Sequence, residues 1–259
     1  MEYEKYYQNT EILFEMIKLM RGRETVWLSQ ERCIRNLKIH NLAYLRSNMN
    51  AFNFFKRRYN LYISLAEYNN MPLFSYDPKQ RAKQRAEFNR DYMDYMIGYD
   101  FFMDFDGNPE NLRSVYEEVK TLKEFFDENK ITYSLIFSGS KGFHFWIPNK
   151  IFQNMDLDKR LYFYKDFVKK IRIIFELEHI DTTIYDYRRI HKLPYSLDVN
   201  SGLVALPLSD EQFNNFRKED MKPEIVLEQN NIRNRGILLR NNNEESYKKT
   251  IRLFEEITR

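Results

Sequence analysis

The stretch YDFFMDFD (99–106), closed by Gly107, Asn108 and Pro109, reads as a β-strand running into a turn. Residues two apart on a strand share a face, with Cα atoms about 6.8 Å apart. Asp104 and Asp106 therefore project side by side at the strand end, while Met103 and Phe105 point the other way, toward a core. Two carboxylates this close repel unless a cation sits between them, which points to a divalent metal. Hard oxygen ligands suit Mg²⁺ or Mn²⁺, and a pair of ions roughly 3.5–4 Å apart suits phosphoryl transfer. A strand end with two solvated acids fits the same letters.

Working outward, Ser138-Gly-Ser-Lys141-Gly-Phe-His144-Phe-Trp146 is the next chemistry-bearing stretch. Gly139 and Gly142 free the backbone to approach a ligand, and successive N–H groups there can form an anion nest. Lys141 adds a charge and Ser138 a hydroxyl. On the following strand His144 and Trp146 share one face, and Phe143 and Phe145 the other. A plain hairpin turn accounts for the glycines, but not for a histidine amid aromatics; a buried structural histidine is the competing reading. Farther on, DTTIYDYRRIHKLPYSLDVNSGLVALPL (181–208) places Asp186 before Arg188, Arg189, His191 and Lys192. That run is either a salt-bridged edge strand or a third metal carboxylate beside a patch that binds phosphate or template.

These motifs sit in a mixed α/β pattern. Ile12, Leu13, Met16, Ile17 and Met20 recur at helical spacing up to Gly22. Leu37, Leu42, Leu45, Phe52 and Phe55 predict further helix over 28–58, and YNLYISLAEY (59–68) predicts a strand. Helices are expected over 109–129, 156–177 and 243–257, and strands over 132–138, 143–148 and 202–208. Residues 187–193 read as extended and basic. The expectation is one catalytic domain, 1–259, with a mainly helical part (1–95) preceding the part that carries the three motifs (96–259).

The chain has 259 residues, 43% hydrophobic and 16% aromatic, which excludes a disordered or collagen-like protein. One cysteine, Cys33, excludes a disulfide framework and a Cys-based zinc site. No apolar run is long enough to span a bilayer, and the acidic, polar N-terminus is no signal peptide, so a soluble, cytoplasmic protein is expected. Lys plus Arg (41) against Asp plus Glu (38) gives only +3, so net charge alone does not mark a nucleic-acid binder. Residues 79–90, however, hold five basic residues and one acidic one. Lys79, Arg81, Lys83 and Arg85 are either a solvated helix face or a surface that follows nucleic-acid phosphates.

Taken in order, the motifs h-D-h-D, S-G-x-x-G-x-H and D-x-x-R-h-x-[RK]-L-P-x-S-L resemble those of the archaeo-eukaryotic primase superfamily. The likeness, over roughly 99–208, is to the catalytic small subunit of archaeal primase and to divergent primase-polymerases. It implies two packed α/β modules, one like an RNA-recognition motif, with the active site in the cleft between them. It also implies template-dependent nucleotidyl transfer: primers begun de novo and extended from NTP or dNTP by a two-metal mechanism that releases pyrophosphate. By position, Asp104, Asp106 and Asp186 resemble the metal-binding aspartates, the last lying eight residues before Pro194. Ser138, Gly139, Lys141, Gly142 and His144 resemble the triphosphate-binding residues, and Arg189 and Lys192 the basic positions of the third motif. The implied cofactors are two Mg²⁺ or Mn²⁺ ions, without zinc, and the implied partner is a single-stranded DNA template.

Two departures stand out. Asp198 and Asn200 occupy places where the family usually has histidine and lysine, and no zinc knuckle can form. Both favour a divergent primase-polymerase of the kind found on mobile elements, in viruses or beside CRISPR adaptation genes, with replication or CRISPR-adaptation proteins as further partners. The rival readings are a catalytically silent nucleic-acid-binding module of the same fold, and another metal-dependent D-x-D transferase. A P-loop NTPase is excluded, because no G-x-x-x-x-G-K-[ST] occurs.

Overall fold

The computed structural model describes residues 2–70, 78–228 and 235–259. The chain is mixed α/β with antiparallel sheets and divides into two compact units. Residues 1–97, 190–205 and 217–236 make the first unit; residues 98–189, 206–216 and 237–259 make the second.

In the first unit, α1 (Glu2–Gln8) and α2 (Thr10–Met20) lead into β1 (Thr25–Leu28) and β2 (Cys33–Leu37). Then come α3 (Leu42–Ala51), α4 (Phe54–Arg57), β3 (Asn60–Ser64) and β4 (Ala66–Tyr68). α2 buries the predicted stripe Ile12, Leu13, Met16, Ile17 and Met20, and Asn9 caps its first turn. The helix expected over 28–58 is corrected at its start: Cys33–Leu37 is a strand, paired antiparallel with β1 through a bulge. Here cross-strand pairing overrides a weak helical pattern. The strand expected over 59–68 is broken at Leu65, and its halves join different sheets.

After α5 (Pro78–Tyr95), which kinks at Asp91, β5 (Met96–Tyr99) pairs with β4. The basic segment 79–90 lies on α5, where Lys79 and Lys83 are exposed; the side chain of Arg81 lies outside the described residues. Phe88 anchors that helix by packing on Tyr68 of β4, and also meets Tyr95 at the helix's own end.

The second unit begins with β6 (Phe101–Asp106), α6 (Leu112–Glu128), β7 (Ser134–Phe137), β8 (Gly142–Ile147) and α7 (Leu157–Ile174). The chain returns to the first unit for β9 (Ile190–Lys192), which completes the sheet order β2-β1-β3-β9. It re-enters the second unit with β10 (Leu206–Pro207) and α8 (Asp210–Asn214). After α9 (Pro223–Glu228) in the first unit, α10 (Glu244–Thr258) closes the second. The buried strand expected over 202–208 is thus shorter than its apolar run, although Leu203 to Leu208 are buried throughout.

The second sheet has the order β10-β7-β8-β6. One face is apolar: Phe101 meets Phe167 and Phe254 of α7 and α10, and Phe145 meets Phe126 of α6. Three helices therefore cover the side of β6 that carries Phe101, Met103 and Phe105. The opposite side carries Phe102, Asp104 and Asp106.

Candidate active site

Strand register builds the centre of this site. β6 and β8 pair so that Asp104 lies directly opposite His144, and Asp106 opposite Gly142. Paired residues share a face, so both carboxylates and the imidazole lie together. His144 Nε2 is 3.3 Å from Asp104 Oδ1, and Lys141 Nζ is 2.8 Å from Asp106 Oδ2. Asp104 is 31% exposed and Asp106 44%, whereas His144 is buried, its ring packed on Phe102. His144 Nδ1 is buried and has no hydrogen-bond partner among the described residues.

The turn joining β7 to β8 is shaped by its glycines and by Ser138. Gly139 has φ +88°, a conformation glycine adopts without strain. A Cβ at Gly142 would lie 1.9 Å from the carbonyl oxygen of Phe105, so only glycine lets β8 approach β6 beside Asp106. Ser138 Oγ accepts hydrogen bonds from the N–H groups of Ser140 and Gly142. Its hydroxyl thus orders the turn from which Lys141 reaches Asp106.

The other edge of β6 is closed by residues 179–181. Asp106 N donates to His179 O, Asp181 N donates to Asp104 O, and Phe105 bridges Ile180. That segment is fastened to α6: His179 Nδ1 lies 2.6 Å from Glu118 Oε1, and its Nε2 lies 3.1 Å from Ser114 Oγ. Tyr185, its hydroxyl pushed far up by burial, donates to Phe102 O. At the start of β6, fully buried Asp100 accepts from Trp146 Nε1 (2.6 Å) and Asn149 N (2.7 Å). Sequence reasoning missed all of these supports. Only Asp100, in phase with Asp104 in the same stretch, offered a local signal.

Asp186 sits in a tight turn. Its Oδ1 accepts from Arg188 N, its Oδ2 lies 3.4 Å from Arg189 Nε, and its backbone carbonyl accepts from Tyr99 Oη. Arg189 also donates to the carbonyls of Ile184 and Thr183. Asp104, Asp106, Lys141 and His144 come together; among the described residues, no group of three or more His, Cys, Asp or Glu side chains converges as a metal cage. The all-oxygen pair Asp104 and Asp106, open to solvent and already met by a positive group, is a donor set that suits a hard divalent ion.

Lys192 lies in the first unit, on β9, and is 7% exposed. Its ammonium donates to Asn60 Oδ1 and to Asp198 Oδ2 (3.2 Å) and lies over the Tyr62 ring. Burial pushes its pKa down to about 8, with Asp198 opposing the shift. Burial alone would raise the Asp198 carboxyl, but Lys192 and the N–H groups of Ser201 and Asn200 outweigh it and hold it below its ordinary value. The aspartate that departs from the primase pattern is therefore the counter-ion of a buried lysine.

No family model matches the chain, and no curated protein matches it. Solved structures do. The polymerase domain of Mycobacterium tuberculosis ligase D, in complex with DNA, aligns with a TM-score of 0.52 at 11% identity, covering 87% of this chain and 88% of that one. The AEP domain of the cyanophage S-2L primase-polymerase aligns over 84% of this chain and 95% of that one, at 12% identity and a TM-score of 0.42. The chain shares the mixed α/β fold of the ligase D polymerase domain.

Proposed function

We propose that the chain is a template-dependent nucleotidyltransferase, a primase-polymerase whose 259 residues form one catalytic domain. The observation that carries this reading is the register of β6 on β8, which sets Asp104 and Asp106 on one open face beside His144 and Lys141. Asp104 and Asp106, with Asp186 as the third carboxylate, would hold Mg²⁺ or Mn²⁺. Bound there, such ions supply charge neutralisation at the phosphates and activation of the attacking hydroxyl.

In this reading, the 3′-hydroxyl oxygen of a strand forms a bond to the α-phosphorus of a nucleoside triphosphate. The bond to pyrophosphate breaks, and the hydroxyl proton passes to solvent. Negative charge gathers on phosphate oxygens, so cation placement carries most of the catalysis. Lys141 exchanges its partner Asp106 for the triphosphate, and the turn that Ser138 orders keeps it within reach. His144, through Nε2, orients Asp104. Arg189 neutralises Asp186 and the nearby phosphates. The template is single-stranded DNA, and primers are begun de novo as well as extended.

The test is incubation with single-stranded template and labelled nucleoside triphosphates in Mn²⁺ or Mg²⁺, with and without primer. Labelled product together with released pyrophosphate supports the assignment. Template binding without incorporation would favour a silent nucleic-acid-binding module.

A further inference from the structure

We propose that a cavity in the first unit, separate from the aspartate site, binds a nucleoside triphosphate by its polyphosphate. It is a half-open pocket of about 800 Å³ beside the turn after β1, α4 and the loop at Val199 and Asn200. That volume falls within the range of small-molecule sites. Three consecutive cations, Lys56, Arg57 and Arg58, line it against, among the described residues, a single acid, Glu31. Consecutive like charges repel, so a cavity that gathers them suits an anion of several charges.

The backbone holds these cations in place. α4 is only four residues long, and it is flanked by Asn53 at φ +52° and Arg58 at φ +49°. Left-handed backbone is unfavourable for arginine and persists where the surroundings enforce it. What enforces it here is Phe54, fully buried among the rings of Tyr3, Tyr7, Trp27 and Tyr59. With Phe54 fixed, the next residues are presented to the cavity without a search for geometry.

The cations are unequally engaged. Arg57 is held by Glu31 at 2.5 Å, whereas Lys56 and Arg58 make no ion pair among the described residues. Guanidinium groups match phosphate oxygens in paired hydrogen bonds. Asn60 Oδ1 already accepts from Val199 N, so its NH₂ is left to donate. Among the described residues the lining contains no aromatic ring, so a base finds nothing there to stack on, and the polyphosphate is what would be recognised. Three cations gathered on three consecutive residues match the dense charge of a compact polyphosphate better than a running strand, whose phosphates are spread along its length.

The site shares no residue with the aspartate centre, so its failure and that of the catalytic reading are distinguishable. Calorimetric titration in EDTA, with a Lys141→Gln background to remove the other expected triphosphate contact, tests it directly. The probes are inorganic tripolyphosphate, ATP and CTP. Lys56→Gln with Arg58→Gln should weaken all three at least tenfold, since hydrogen bonds to charged groups are worth that much each. Glu31→Gln releases Arg57 and should tighten binding several-fold, with ATP and CTP alike throughout. Equal affinity in the double variant, or no tightening in Glu31→Gln, would overturn the proposal. So would capture of a 5′-phosphorylated oligonucleotide, but neither ATP nor a 5′-hydroxyl strand, through Lys56 and Arg58; that would assign the cavity to a strand end.

Discussion

Asp104 and His144 are direct cross-strand partners, with imidazole Nε2 3.3 Å from carboxylate Oδ1. Two positions along, Asp106 faces Gly142, and the preceding residue, Lys141, reaches back to its carboxylate. A nitrogen from β8 or its leading turn thus meets each carboxylate on β6. The charge repulsion read from the sequence is relieved by the protein itself, and any ion that binds must displace or share these contacts.

That exchange sets the expectation for Lys141. Lys141→Gln should raise the KM for nucleotide by about tenfold to a hundredfold while leaving template affinity within about twofold. Steady-state kinetics and fluorescence anisotropy measure the two separately. Collapse of DNA binding with an unchanged nucleotide KM would assign the turn to the template.

Asp100 is a support rather than a reactant. It is fully buried and takes hydrogen bonds from Trp146 Nε1 and Asn149 N. An amide in its place can accept one of them but turns its NH₂ toward the other donor. Asp100→Asn should cost roughly 2–4 kcal/mol in urea unfolding. A loss below about 0.5 kcal/mol would show that neither bond matters to the fold.

The buried pair Lys192–Asp198 makes stability depend on pH. The folded-state pKa of Lys192 is about 8, below its ordinary 10.5, so between those values the unfolded chain binds more protons. Stability should therefore rise from pH 8 toward 9.5, and the whole contribution is at most roughly 3 kcal/mol. Above about pH 10 the buried tyrosines work the other way, because the unfolded chain loses their protons first. Urea midpoints from pH 7.5 to 9.5 should climb in the wild type and flatten in Lys192→Met. Parallel curves would place the Lys192 titration outside this window.

The cations of α5, exposed at Lys79 and Lys83 and half-buried at Arg85, invite a salt test. Each phosphate contact contributes roughly 0.7 to the slope of log K against log salt on single strands. Lys79→Gln, Lys83→Gln and Arg85→Gln together should lower that slope by about two units, equally for unrelated sequences. An unchanged slope would make α5 a solvated face.

Local pattern revealed what local physics determines. Alternation along 101–106 fixed which side of β6 faces the helices, and the glycines of 138–142 marked the close approach to Phe105. What stayed hidden depends on pairing and burial that the folded chain creates, whether the partner is near in sequence or far. Nothing near Cys33–Leu37 announces that β1 will pair with it, and nothing near Glu118 announces His179. Asp198 looked like a defect in the primase pattern because its partner, Lys192, reads as a surface cation until β9 is placed in a sheet.

The catalytic reading rests on Asp104 and Asp106, and one comparison tests it most directly: single-turnover nucleotide incorporation on a primed template in Mn²⁺ by wild type, Asp104→Asn and Asp106→Asn. Both carboxylates are partly exposed and both substitutions are isosteric, so melting temperature and template affinity should hold. Incorporation should fall by at least a hundredfold in each variant. Near wild-type incorporation by either variant would contradict a metal-dependent centre at this pair.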